Sequence, residues 1–186
     1  IGFHTAIYFL KKNYNIIGVD NYDKYYDVKL KKSRTELLIK NFKKKFIFKK
    51  FDLNNTKEFE QLFKNYRFTC IIHLAANPGI RFSILKPKKV FKNNISLFFN
   101  LLTLAEKYKI KNIIYASTSS VYGNLSKEIF KEKDINNTPL QLYSASKLTN
   151  ELIAYVFSAV YKINIIGLRF FTVYGPWGRP DMSYFK

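Results

Sequence analysis

Short, continuous apolar runs recur along this chain, and their spacing constrains the fold more than any other feature. They are Ile16-Ile17-Gly18-Val19, Phe46-Ile47-Phe48 leading on to Phe51-Asp52-Leu53, Cys70-Ile71-Ile72-His73-Leu74-Ala75, Ile113 to Ala116 and Ile165 to Phe170. A strand with one wet face alternates apolar and polar residues, whereas a strand covered on both faces does not alternate. Between the runs lie stretches with a helical period. Gly2 to Asn13 carries Phe3, Ala6, Ile7 and Leu10 on one stripe, and Ser33 to Asn41 follows. Thr56 to Tyr66 reads as a helix with Thr56 as its N-cap and Glu58 and Glu60 near its positive end. Val90 to Tyr108 and Gln141 to Tyr161 are the two longest. Strands alternating with helices predict an α/β protein built on a doubly wound parallel sheet, as one domain over residues 1–186. In such a sheet Asp20, Asp52, Ala75, Thr118 and Thr172, each following an apolar run, gather at the carboxyl edge where ligands bind.

The net charge of +19 raises the question of a polyanionic partner. Its lysines are scattered, with short clusters at Lys29-Leu30-Lys31-Lys32, Lys43-Lys44-Lys45 and Lys86-Pro87-Lys88-Lys89. That distribution describes solvated faces rather than a binding stripe, so no nucleic acid is expected as a partner. The positive field would still favour an anionic nucleotide substrate. There is no apolar run of membrane-spanning length, so no membrane association is expected. The single cysteine, Cys70, excludes an internal disulfide and fits a reducing, cytoplasmic setting. His4, Cys70 and His73 have no metal-ligand spacing, and His73, inside an apolar strand, reads as a core histidine.

The chemistry concentrates in two segments. Tyr143-Ser144-Ala145-Ser146-Lys147 opens the last long helix. A free phenol has a pKa of about 10 and is a poor base at neutral pH. A lysine four residues on shares its helix face, and its charge favours the phenolate. The second segment, Ala116-Ser117-Thr118-Ser119-Ser120-Val121-Tyr122-Gly123, places hydroxyls at the end of a predicted buried strand.

Together these segments resemble the Ser/Thr-Tyr-Lys centre of the extended short-chain dehydrogenase/reductases. Within that family the resemblance is to the NAD-dependent nucleotide-sugar 4-epimerases, on three further stretches. These are Asp20 to Val28, Ala75-Ala76-Asn77-Pro78-Gly79-Ile80-Arg81-Phe82-Ser83, and Leu168-Arg169-Phe170-Phe171-Thr172-Val173-Tyr174-Gly175-Pro176-Trp177-Gly178-Arg179-Pro180-Asp181-Met182. The resemblance implies a Rossmann-type fold. It makes Gly2 the last glycine of the pyrophosphate turn, with the first strand and the rest of that turn lying before Ile1. Asp20 then binds the adenosine ribose and disfavours the 2′-phosphate of NADP. Asn21, Asp52 and Leu53 lie by the adenosine; Leu74, Ala75, Ala76, Asn93, Asn94, Ser117, Phe170 and Val173 complete the NAD site with Tyr143 and Lys147. Thr118, Tyr143 and Lys147 become the catalytic set, and Arg81, Ser83, Thr118, Thr172 and Arg179 the substrate contacts.

The resemblance also implies a reaction. Related dehydratases carry Asp-Glu where Ser119-Ser120 stand, and related decarboxylases carry Glu at the Ser120 position. Serine cannot replace a carboxylate near neutral pH. What remains is epimerisation at C4 of a UDP-sugar through a 4-keto intermediate, UDP-glucuronate to UDP-galacturonate first, with UDP-glucose as the alternative substrate. A non-catalytic basic binding module is the remoter alternative. The full-length protein is expected to be a homodimer, with the fragment alone inactive.

Overall fold

The computed structural model describes residues 1–125, 129–134 and 138–182. The chain separates into two compact units. The first comprises residues 1–55 together with the segment from Thr172 onward, and the second runs from Thr56 to Phe171.

In the first unit, α1 (Gly2–Lys11), β1 (Ile16–Asp20), α2 (Val28–Asn41) and β2 (Phe46–Lys50) follow one another, and β1 pairs with β2 in parallel. The predicted apolar stripe of α1 supplies the core. Leu10, Leu38 and Phe46 are buried, and Phe3, Ala6, Ile7, Ile16, Phe42 and Phe48 pack around them. Helix α2 begins five residues earlier than its apolar period indicates. The Asp27 side chain accepts from the Lys29 amide at 2.8 Å, so a side-chain cap starts the helix inside a lysine-rich stretch. The segment after Thr172 is held within this unit. His4 Nε2 bonds the Pro176 carbonyl at 2.8 Å, and Arg34 donates to the Trp177 carbonyl at 2.5 Å.

In the second unit, α3 (Thr56–Asn65) precedes a parallel sheet of order β3-β4-β5, formed by Ile71–His73, Asn112–Thr118 and Asn164–Phe170. Thr56 is the first helical residue of α3 rather than its cap. The helix expected over Val90–Tyr108 is built in pieces. Two short helices, α4 (Ile80–Leu85) and α5 (Pro87–Val90), lead into a π-helical turn over Phe91–Ser96 and then α6 (Leu97–Lys107). After β4 comes a 3₁₀ turn (Ser119–Tyr122), and α7 (Leu142–Tyr161) crosses back to β5. Phe98 is fully buried, its ring stacked on His73 at 5.7 Å and tilted on Tyr115 at 4.8 Å. Strand β5 departs from the expectation of two covered faces, since Ile166 and Leu168 are exposed. All pairings in both sheets are parallel, as the continuous apolar runs predict.

One glycine on β5 is required by packing. Gly167 stands opposite Tyr115 in register, and a Cβ there would lie 2.5 Å from the Tyr115 hydroxyl. Gly167→Ala is therefore expected to displace that ring and destabilise the protein by about 1–3 kcal/mol. Chemical denaturation of the full-length protein measures this; an unchanged midpoint would show that Tyr115 moves aside freely.

Candidate active site

The predicted catalytic trio falls within the second unit, where two elements place it. Strand β4 ends in Ala116-Ser117-Thr118, and the Thr118 hydroxyl oxygen accepts from the Ser120 amide at 3.2 Å, capping the 3₁₀ turn that follows. Helix α7 starts one residue before Tyr143. Its first turn is fixed by Ser144, whose Oγ accepts from the Gln141 amide at 3.3 Å and donates to the Gln141 carbonyl at 2.8 Å. Tyr143 and Lys147 are thus separated by one turn and share a face.

Lys147 is only 3 % exposed, and its Nζ donates to the Ala116 carbonyl at 2.8 Å. Burial lowers its pKa to about 8. An ammonium has three donors, so two remain for a ligand. His73, at the end of β3, is also buried, and burial first and the charge of Lys147 second push its pKa down to about 3. It is therefore neutral at physiological pH, as a core histidine should be.

A polar network secures the surroundings. Asn94, on the π-helical turn, accepts from the Asn77 amide at 2.8 Å and donates to the Asn77 carbonyl and to Ser146 Oγ, each at 3.2 Å. Asn93 Nδ2 reaches Asn77 Oδ1 at 2.5 Å, and Asn150 Nδ2 reaches the Asn94 carbonyl at 2.9 Å. The loop after β3, which holds Leu74, Ala75 and Ala76, is thereby tied to α7. Asn93 meets that loop, and Asn94 meets both the loop and α7 through the same bonds. Arg81 is exposed on α4, and Ser83 on the same helix is buried. Phe170 closes β5, half-buried.

The remaining predicted residues belong to the first unit. Gly2 is the first residue of α1. Asp20 ends β1, and its Oδ1 accepts from the Tyr22 amide at 2.7 Å. Beyond the end of β2, Asp52 accepts from Asn21 Nδ2 at 3.2 Å, with Leu53 next to it. Asp20, Asn21 and Asp52 therefore share the carboxyl edge of the β1–β2 pair. Exposed carboxylate and amide groups of this kind are chemically suited to the hydroxyls of a ribose. Thr172 and Val173 are exposed in the terminal segment. Arg179 pairs with Asp181 at 3.5 Å and lies over the Tyr25 ring, while its buried Nη1 has no hydrogen-bond partner among the described residues. No group of histidine, cysteine and carboxylate side chains that could hold a metal occurs among the described residues.

Two residues escaped the sequence reading. Glu151, one turn beyond Lys147, accepts from Ser117 Oγ at 2.5 Å and is gripped by Arg169 of β5 at 3.0 and 2.8 Å. The signal was present: Tyr143, Lys147 and Glu151 form a four-residue ladder, and an arginine within an apolar strand needs an acidic partner.

Comparison with known proteins agrees with this geometry. The NAD dependent epimerase/dehydratase family matches residues 1–185, and the chain belongs to that family. It is 42 % identical over its whole length to Protein CapI of Staphylococcus aureus, covering 55 % of that protein. It is 40 % identical to UDP-glucuronate 4-epimerase 4 of Arabidopsis thaliana, covering 42 % of it. Among solved structures, UDP-glucuronic acid 4-epimerase from Bacillus cereus, in complex with UDP-glucuronic acid and NAD, superposes with a TM-score of 0.88 at 33 % identity. That match covers 100 % of this chain and 57 % of the other. UDP-glucose 4-epimerase from Thermotoga maritima gives 0.83 at 26 % identity, covering 98 % of this chain and 55 % of its own. The chain thus spans about half the length of the curated relatives it matches. The fold is the Rossmann-like α/β fold of these NAD-dependent nucleotide-sugar epimerases.

The depressed pKa of His73 gives stability a pH dependence. Between about pH 6.5 and 3 the unfolded chain binds a proton that the folded chain refuses. Stability is therefore fully present above pH 6.5 and is lost as pH falls towards 3, at up to about 1.4 kcal/mol per pH unit. Denaturation across pH 4–6.5 should show a shallower acid slope for His73→Leu than for the wild type. Parallel slopes would show that His73 is protonated in the folded state.

Proposed function

We propose that the full-length protein epimerises a UDP-uronic acid at C4, interconverting UDP-glucuronate and UDP-galacturonate. The observation that carries the reading is Lys147: a buried ammonium with no carboxylate partner among the described residues, one helical turn from Tyr143 and bonded to the strand that ends in Thr118. This charge favours the Tyr143 phenolate. Tyr143 takes the proton of the sugar 4-OH, Thr118 hydrogen-bonds the same oxygen, and Tyr143 returns the proton once the 4-keto sugar has turned over. NAD, when bound, accepts and returns the hydride. Asp20, with Asn21, Asp52 and Leu53, holds the adenosine and prefers NAD to NADP. Ser119 and Ser120 follow Thr118 where dehydration or decarboxylation needs a carboxylate, which supports simple epimerisation.

The uronate reading is supported by the Bacillus cereus and Arabidopsis relatives. The neutral-sugar alternative is supported by the Thermotoga maritima relative with UDP-glucose. Of the two candidate arginines, the buried, unpartnered Nη1 favours Arg179 as the donor to an anionic oxygen of the substrate. Turnover of UDP-glucuronate and UDP-glucose by wild type, Tyr143→Phe, Arg81→Met and Arg179→Met tests these assignments. Tyr143→Phe is expected to lose about 10²–10⁴ in rate with NAD retained. An arginine that reads the carboxylate should cost about 10- to 150-fold on the uronate alone, from roughly 1.5–3 kcal/mol per charge-assisted bond. Equal losses on both substrates would assign it to the diphosphate. A Tyr143→Phe rate within a few-fold of wild type would show that another group moves the proton.

The protein is further proposed to be a cytoplasmic homodimer. Leu152, Tyr155, Val156 and Val160 form an exposed apolar stripe on α7, with Phe99 exposed on α6. Among the described residues no helix is long and apolar enough to cross a membrane. Sedimentation should give a dimer for the wild type and a monomer for Leu152→Arg/Tyr155→Glu; an unaltered dimer would place the interface elsewhere.

A further inference from the structure

We infer that Glu151 and Arg169 are positioning residues for the proposed reaction, setting the end of β4, and with it Thr118, against the face of α7 that carries Tyr143. The inference rests on the epimerase reading above. The two residues immediately before Thr118 are each held by α7: Lys147 donates to the Ala116 carbonyl at 2.8 Å, and Glu151 accepts from Ser117 Oγ at 2.5 Å. Lys147 and Glu151 are one turn apart, so consecutive strand residues are matched to consecutive helical turns.

Arg169 fixes the direction of the Glu151 carboxylate. It is the register partner of Ser117 on the adjoining strand. Its Nε and Nη2 donate to the two carboxylate oxygens at 3.0 and 2.8 Å, and its Nη1 donates to the carbonyls of Glu132 and Asp134 at 3.1 and 3.2 Å. The guanidinium lies 4.8 Å over the Tyr122 ring, which stacks on Phe130 at 4.7 Å. One side chain thus joins β5, the catalytic helix, the 3₁₀ turn after Thr118 and the segment over residues 130–134. A lysine could supply the charge but not this planar fork.

A mostly buried ion pair is a poor device for stability, because desolvation offsets much of the attraction. A bidentate pair is a good device for direction. Displacing a catalytic group by about 1 Å lowers the rate on the order of 10²-fold, so direction is what the site needs.

The test uses the full-length protein with Ser117→Ala, Glu151→Gln, Arg169→Lys and the double variant Ser117→Ala/Glu151→Gln, each assayed well below its own Tm. Ser117→Ala removes only the hydroxyl link and leaves the ion pair intact. It is expected to lower kcat several-fold; Glu151→Gln and Arg169→Lys should lower it about 10- to 100-fold. KM for the sugar nucleotide should stay within about twofold, and so should the affinity of Glu151→Gln and Arg169→Lys for NAD. The double variant should be no slower than Glu151→Gln, because both changes break the same link. Amide hydrogen exchange over residues 118–120 should quicken in all four, a readout that needs no turnover. A fall in Tm with kcat unchanged, multiplicative losses in the double variant, or unchanged exchange would each overturn the positioning role. A wild-type protein that turns over neither sugar nucleotide would overturn the epimerase reading instead, and the exchange measurement would still decide whether the clasp orders the strand end.

Discussion

Burying an ammonium is unfavourable by several kcal/mol, and the second unit is arranged around one. Lys147 is enclosed with the Ala116 carbonyl as its bonded neighbour. On an isolated helix its natural partner would be Glu151, four residues on. That carboxylate is taken up by Arg169 and Ser117. The nearby His73 is held neutral by its own burial and by the lysine's charge, so it adds no second cation. Among the described residues the field of Lys147 therefore has no carboxylate to quench it, which leaves its remaining donors for a ligand.

The backbone around this charge is kept in place by amide side chains. Asn77, Asn93, Asn94 and Asn150 exchange bonds with one another, with main-chain groups and with Ser146, and the π-helical turn at Phe91–Ser96 carries two of them. Single-turn π segments of this kind recur where a side chain must be re-aimed towards a site. Such a network specifies geometry at a modest net gain in stability, because each bond replaces one to water.

Much of this was legible in the sequence. Apolar runs located the five strands of the described residues, β5 included although Ile166 and Leu168 are exposed, and Tyr143 and Lys147 stand one turn apart on a single helix as their spacing indicates. The start of α2 was not legible, since Lys29, Lys31 and Lys32 hide its period and the start depends on Asp27. The break of Val90–Tyr108 into a π-helical turn was hidden because one extra residue per turn hardly alters the apolar spacing. The short helix at Ile80–Leu85 was read only as part of a motif. Exposure of Ile166 and Leu168 could not be foreseen either, since an apolar strand reads the same whether or not a neighbour covers it. Glu151 and Arg169 were missed because their partnership spans helix and strand, and pair spacing along the chain does not report it.

The one tryptophan of the sequence lies in the segment that folds back onto the first unit. Trp177 contacts the Phe3 ring at 5.7 Å, and its carbonyl accepts from Arg34. Its emission is thus an optical reporter of one unit alone, blind to the unit that holds Tyr143. Backbone circular dichroism registers both. Melting curves recorded by the two signals would coincide for a single cooperative transition and diverge if the units unfold in turn, so the chain carries its own probe of how its halves are coupled.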